Sequence, residues 1–173
     1  MEDTLGKAQE QKGKLEKLAE KLPFYKGYKE KELRRETDKL LRDDVARQLE
    51  VQWRRVADLQ RQLLSGGMLI YVDDLQTVET RLRRFMDRVR GASYGYSGAF
   101  NVTKVKEDTL DAIYNFDITL LNNVEAIKTG LDDVQAAIDA GQEVPAAIRK
   151  ASSIVGVAND TFGEREKILR GTA

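Results

Sequence analysis

Residues 113–138 read IYNFDITLLNNVEAIKTGLDDVQAAI. Ile113, Phe116, Leu120, Val124, Ile127, Leu131, Val134 and Ile138 advance by steps of three and four. That spacing puts them along one side of an α-helix and gives a seam that another helix can bury. A strand would instead alternate every second residue. Gly141 follows the last seam position and marks a helix end.

The same rhythm extends in both directions. Leu75, Val78, Leu82, Phe85 and Val89 place a helix over about 69–90, with MLIYV (68–72) read as its start. Leu33, Leu41, Val45, Leu49, Val56, Leu59 and Leu63 place one over about 29–64, stopped by Ser65-Gly66-Gly67. Trp53 sits one position off this seam, and its exposure would mark an interface. Thr103 caps the central helix, expected over 103–140, with Glu107 and Asp108 in its first turns. Pro145 suits the first turn of a last helix, 145–169, with Ile148, Ala151, Val155, Ala158 and Phe162 inward. Residues 1–22 form a weaker helical arm, because Gly6 and Gly13 interrupt it, and Pro23 ends it.

No credible strand is present, so the fold class is all-α. The expected architecture is an antiparallel up-down bundle of four long helices with coiled-coil-like packing, plus the N-terminal helix. Residues 23–173 form one domain, which suits a chain of 173 residues.

Composition narrows the chemistry. With no cysteine, disulfides, thiol catalysis and thiolate metal sites are excluded. With no histidine, imidazole bases, Ser-His-Asp triads and histidine-ligated metals are excluded. Twenty-nine basic and 29 acidic residues give a formal net charge of zero, and hence no global field to draw in nucleic acid. Locally, residues 26–64 carry a balance of +3 and residues 100–140 one of −5, the pattern of a basic helix beside an acidic one. Arg81, Arg83, Arg84, Arg88 and Arg90 cluster on the third helix but are interleaved with acids, as on a solvated or internally paired face. The start lacks an apolar signal core and no apolar run reaches about 20 residues, so a cytoplasmic protein is expected, without membrane contact.

The pairs Asp43-Asp44, Asp73-Asp74 and Asp132-Asp133 lack the further aspartate that a diphosphate-binding Asp-Asp-x-x-Asp motif requires. GASYGYSG (91–98) has three glycines but no phosphate-loop lysine. Glu32 with Glu36, and Glu107 with Asp111, stand at i, i+4 on helices. They are the alternative metal set, for a magnesium-dependent all-α nucleotide phosphohydrolase. Otherwise no metal and no cofactor is expected.

The residues most suggestive of binding are aromatic. PFYKGYK (23–29) and ASYGYSGAF (92–100) hold six of the twelve aromatic residues, and an up-down topology brings both junctions to one end. The helix from residue 29 overshoots its shorter partner there, and Arg34 or Arg35 is expected to pair with Asp108 or Asp111. The rings either plug the bundle or form a docking tip. Tyr25, Tyr28, Arg34, Arg35, Tyr94, Tyr96 and Phe100 are the candidate partner-binding residues, because rings and arginines dominate interface energetics. The expected function is a non-enzymatic scaffold or adaptor that binds a protein partner or copies of itself. A peripheral membrane component is the third reading.

Overall fold

A computed structural model gives the fold. It describes residues 2–23, 25–92, 102 and 104–170. Among the described residues five α-helices follow in order: α1 (Glu2–Lys21), α2 (Arg34–Ser65), α3 (Val72–Gly91), α4 (Glu107–Ala140) and α5 (Val144–Arg170). No strand occurs among the described residues, and the all-α expectation holds.

Several boundaries differ from the periodicity. The segments Lys31–Leu33 and Leu69–Tyr71 are single 3₁₀ turns, so α2 and α3 each begin later than the apolar pattern suggests. Apolar spacing persists through a 3₁₀ turn, which makes the two hard to separate by pattern. The central helix starts at Glu107, after an extended Lys106, rather than at Thr103, which lies outside the described residues. At its other end Gly141 adopts φ 65° and donates its N–H to the carbonyls of Ala137 and Ile138, closing α4 with a left-handed cap.

From α2 onward the helices alternate in direction, while α1 points the same way as α2. Around the bundle their order is α2, α3, α5, α4. Gln62 bonds Gln135, and Arg55 pairs with Asp132, so α2 and α4 run side by side in the same direction. Arg81 bonds Ser152, and Arg88 bonds Glu166, so α3 and α5 do likewise. The antiparallel neighbours are the two pairs joined by short turns, α2/α3 and α4/α5.

Buried apolar side chains line the middle. Val56 and Leu59 of α2, Leu82 and Phe85 of α3, Val124 and Leu131 of α4, and Val155 and Phe162 of α5 are almost wholly enclosed. The Phe85 and Phe162 rings meet edge to face at 6.0 Å. Gly130 lets α5 approach α4, because a Cβ there would sit 3.0 Å from Ile154 Cδ1. Each of these helices buries one stripe and leaves most of its charges outside, which is the stable solution for amphipathic helices.

The N-terminal arm packs on the outside of α4 and runs parallel to it. Gln11 donates to the Glu107 carbonyl, Lys14 to Asp111 and Lys21 to Asn122, while Leu18 and Leu22 are buried. Residues 22–33 then turn back toward the start of α4. The expected aromatic loop at the bundle tip is thus a strap lying between α2 and α4. Its path depends on Gly27, whose φ is 82°. A Cβ there would stand 2.6 Å from Tyr114 Oη. Gly27→Ala combines a left-handed backbone with that clash, and should cost at least about 1–3 kcal/mol in urea unfolding. An unchanged unfolding midpoint would show that the strap is not held at this point.

Candidate functional site

The seam of α4 contains a residue that periodicity alone passes over. Its buried positions are 113, 117, 120, 124, 127, 131, 134 and 138, an unbroken alternation of four and three. The second member is Asp117, and Phe116 is only half-buried. In α5 the run Ile148, Ala151, Val155, Ala158 and Phe162 continues to Arg165 and Leu169. In α2 the buried run reaches back to Asp38. Three charged residues from three helices therefore occupy core positions at one level.

They meet. Arg165 is fully buried; its Nε donates to Asp117 Oδ1 at 2.6 Å and its Nη1 to Asp38 Oδ1 at 3.0 Å. Its Nη2 donates to the Tyr28 hydroxyl at 2.8 Å. Arg42 Nε supplies the other Asp38 oxygen at 2.7 Å, and the Tyr25 hydroxyl supplies Asp117 Oδ2 at 2.7 Å. Asp38, Asp117, Arg42 and Arg165 balance in charge. A buried charge needs such pairing, because desolvation costs several kcal/mol per ion.

Helix α3 makes room for this layer by ending early. Arg42 bonds the Arg90 carbonyl, so the first two turns of α2 extend beyond the last turn of α3. At this level the strap supplies the fourth side through Tyr28. Tyr114 Oη accepts the Tyr28 backbone N–H at 3.0 Å. Thr37 Oγ1 donates to the Gly27 carbonyl at 2.9 Å. Arg34 Nε donates to the Tyr28 carbonyl at 2.8 Å, and its Nη2 reaches the Lys29 carbonyl. The Tyr25 and Tyr28 rings stand edge to face at 6.0 Å.

The environment shifts the acids. Burial raises the Asp117 carboxyl above its usual range, against the lowering pull of Arg165 and the two tyrosine hydroxyls. Burial and the nearby Asp117 charge push the Tyr25 and Tyr28 hydroxyls well above the ordinary tyrosine value. The layer is thus a set of neutral phenols and paired charges sealed from water.

Three of the seven sequence candidates lie within or beside this layer. Tyr25, Tyr28 and Arg34 are buried, and each bonds the strap or the layer from inside. Arg35 is exposed. Tyr94, Tyr96 and Phe100 lie outside the described residues. Arg34 serves the strap carbonyls of Tyr28 and Lys29, and Asp111 pairs with Lys14 at 2.8 Å. Of the alternative metal set, Glu36 pairs with Lys26 and Asp111 with Lys14, while Glu32 and Glu107 are exposed. Among the described residues no three carboxylates converge as a cation site. No helix among them is long and apolar enough to cross a membrane.

Of the α3 arginine cluster Arg88 is half-buried and the other four are exposed, several of them paired along the surface. Arg88 bonds Glu166 and Asn159, Arg90 bonds Glu50, and Arg83 lies over the Trp53 ring at 5.9 Å. Trp53 is half-buried and donates its indole N–H to Glu79.

The opposite end of the bundle has another character, and sequence reasoning passed over it. Leu64 lies in the last turn of α2, and Leu69 and Ile70 lie on the 3₁₀ turn that leads into α3. They are 50%, 63% and 78% exposed. The turn is fixed from behind: Met68 N bonds the Leu63 carbonyl at 2.8 Å, and Tyr71 N bonds the Met68 carbonyl at 3.1 Å. Reading MLIYV as the first turn of a regular helix hid the fact that two of its apolar residues face water.

The phenols give the layer a pH signature. Because folding raises the Tyr25 and Tyr28 values, their contribution is complete below about pH 10 and is lost as pH rises toward the raised values. Each should remove about 1.4 kcal/mol per pH unit across that window. Urea midpoints from pH 9 to 11.5 should fall more steeply for the wild type than for Tyr28→Phe, by about one proton's worth of slope. Equal slopes would mean that the Tyr28 hydroxyl ionises freely in the folded state.

Compared with family models, curated proteins and solved structures, the chain matches none, so its function is argued from this geometry.

Proposed function

We propose that the chain is a non-enzymatic helical scaffold or adaptor that docks a protein partner through the α2–α3 hairpin end. One observation carries this reading: Leu64, Leu69 and Ile70 are held in water on a turn whose backbone is bonded into the bundle. Scattered exposed apolar residues are ordinary, but several grouped on one fixed protrusion are a recurrent feature of interaction sites. A turn that is already ordered loses little entropy when it docks.

The buried layer supports the same reading from the other end. Its aromatic and arginine groups are engaged in holding the strap, so they serve the rigidity of the body that carries the hairpin. The docking surface accordingly moves from the aromatic residues singled out in the sequence to the hairpin.

Ile70→Asp tests the proposal. The side chain is exposed, so thermal unfolding should change little. Retention of partner proteins from the native cell, quantified against the wild type, should fall at least about tenfold, the loss of one apolar anchor. An identical set of retained proteins would reject the hairpin as the docking site.

A further inference from the structure

The hairpin end joins its apolar side chains to an acidic surround. Asp73 and Asp74 are exposed in the first turn of α3, directly after the 3₁₀ turn. Asp139 is exposed in the last turn of α4, and Glu143 in the turn before α5. Among the described residues none of these four carboxylates forms an ion pair; Asp139 accepts only from Gln135. The last turns of α2 and α4, which end here, carry no basic side chain. Of the nearby cations, Arg61 is engaged by Asp58 and Lys150 by Asp133, leaving Arg149 on the flank of α5.

Resting on the hairpin reading, we infer that the occupant of this end is a protein surface with an apolar depression rimmed by lysine or arginine. The charges select among occupants. A second copy docked through the same hairpin would set these carboxylates against themselves, and like charges across an interface are unfavourable. An anionic bilayer would repel them as well, whereas membrane-docking surfaces carry basic groups beside their apolar ones. A basic rim gains from Asp73 and Asp74 while Leu69 and Ile70 enter the depression. Exposed carboxylates of this kind mainly govern encounter rate and salt dependence, and the apolar contact governs residence time.

The test carries a benzophenone side chain at position 70 in the full chain, and photo-crosslinks it in native-cell lysate. The same chain is then prepared with Asp73→Lys and Asp74→Lys. The crosslinked peptides should come from protein segments rich in lysine and arginine. The yield should fall at least about tenfold between 50 and 300 mM salt, and by a similar factor in the charge-reversed chain. Mixing with phosphatidylserine vesicles should leave the protein in the supernatant. Loss of retention by Ile70→Asp together with insensitivity to the charge reversal would overturn the basic rim and leave the hairpin reading standing. Retention that survives Ile70→Asp would remove both. Crosslinks to the chain itself, or sedimentation with the vesicles, would replace the occupant proposed here.

Discussion

Arg165 carries its guanidinium into the interior at the point where α3 has ended, and everything at that end of the molecule is arranged around it. Two carboxylates from α2 and α4 and one phenol from the strap take its donors at 2.6–3.0 Å. An apolar layer would tolerate several rotations or slips of the helices, since apolar packing is non-directional. A guanidinium with a fixed fork of donors tolerates few. Buried charge pairs stabilise little in net terms, because burying them offsets most of the attraction. Their physical contribution is selection: with α2, α4, α5 and the strap in register the layer is satisfied, and a slip of one turn strands a charge. Polar residues at seam positions set register in packed helices in the same way.

The strap follows from that requirement. A four-helix layer needs four sides, and α3 is too short to provide the fourth. Residues 25–29 enter as irregular chain and present backbone groups that must also be satisfied. Tyr114, Thr37 and Arg34 satisfy three of them. Gly27 is the one position where chain and core touch too closely for a side chain. The arm α1 is then tied to the bundle at both ends of its return path, by Leu18 and Leu22 on one side and Tyr28 on the other.

Much of the fold was legible because apolar periodicity is a direct image of burial. The helices over 113–138 and 75–89 were read from their seams alone. What escaped the reading was the polar continuation of those seams. Asp117 lies four residues after Ile113 and three before Leu120, so it is in register, yet Phe116 was taken for the seam because it is apolar. Arg165 and Asp38 were hidden by the same assumption that charges face water. Extending each seam by its spacing, whatever the residue, would have found all three. The tyrosines at 25 and 28 were recognised as important, as a plug or a docking tip at the bundle end, because nothing in the sequence tells a return strap from a terminal loop. The exposed Leu69 and Ile70 were concealed by a 3₁₀ turn that keeps helical composition without helical phase. The two ends now divide the labour: one is locked by a polar layer, and the other offers fixed apolar side chains among unpaired acids.

The claim that the layer selects register is tested most directly by replacing it whole. A chain carrying Asp38→Leu, Arg42→Leu, Asp117→Leu, Arg165→Leu, Tyr25→Phe and Tyr28→Phe removes the four charges and both phenols together, so that no charge of the layer is left without its counter-charge. Amide hydrogen exchange resolved by residue should find helicity and overall stability retained within about 2 kcal/mol. Protection should be lost through residues 25–33 and the first turns of α2, as alternative registers become populated. Protection there equal to the wild type would contradict the account.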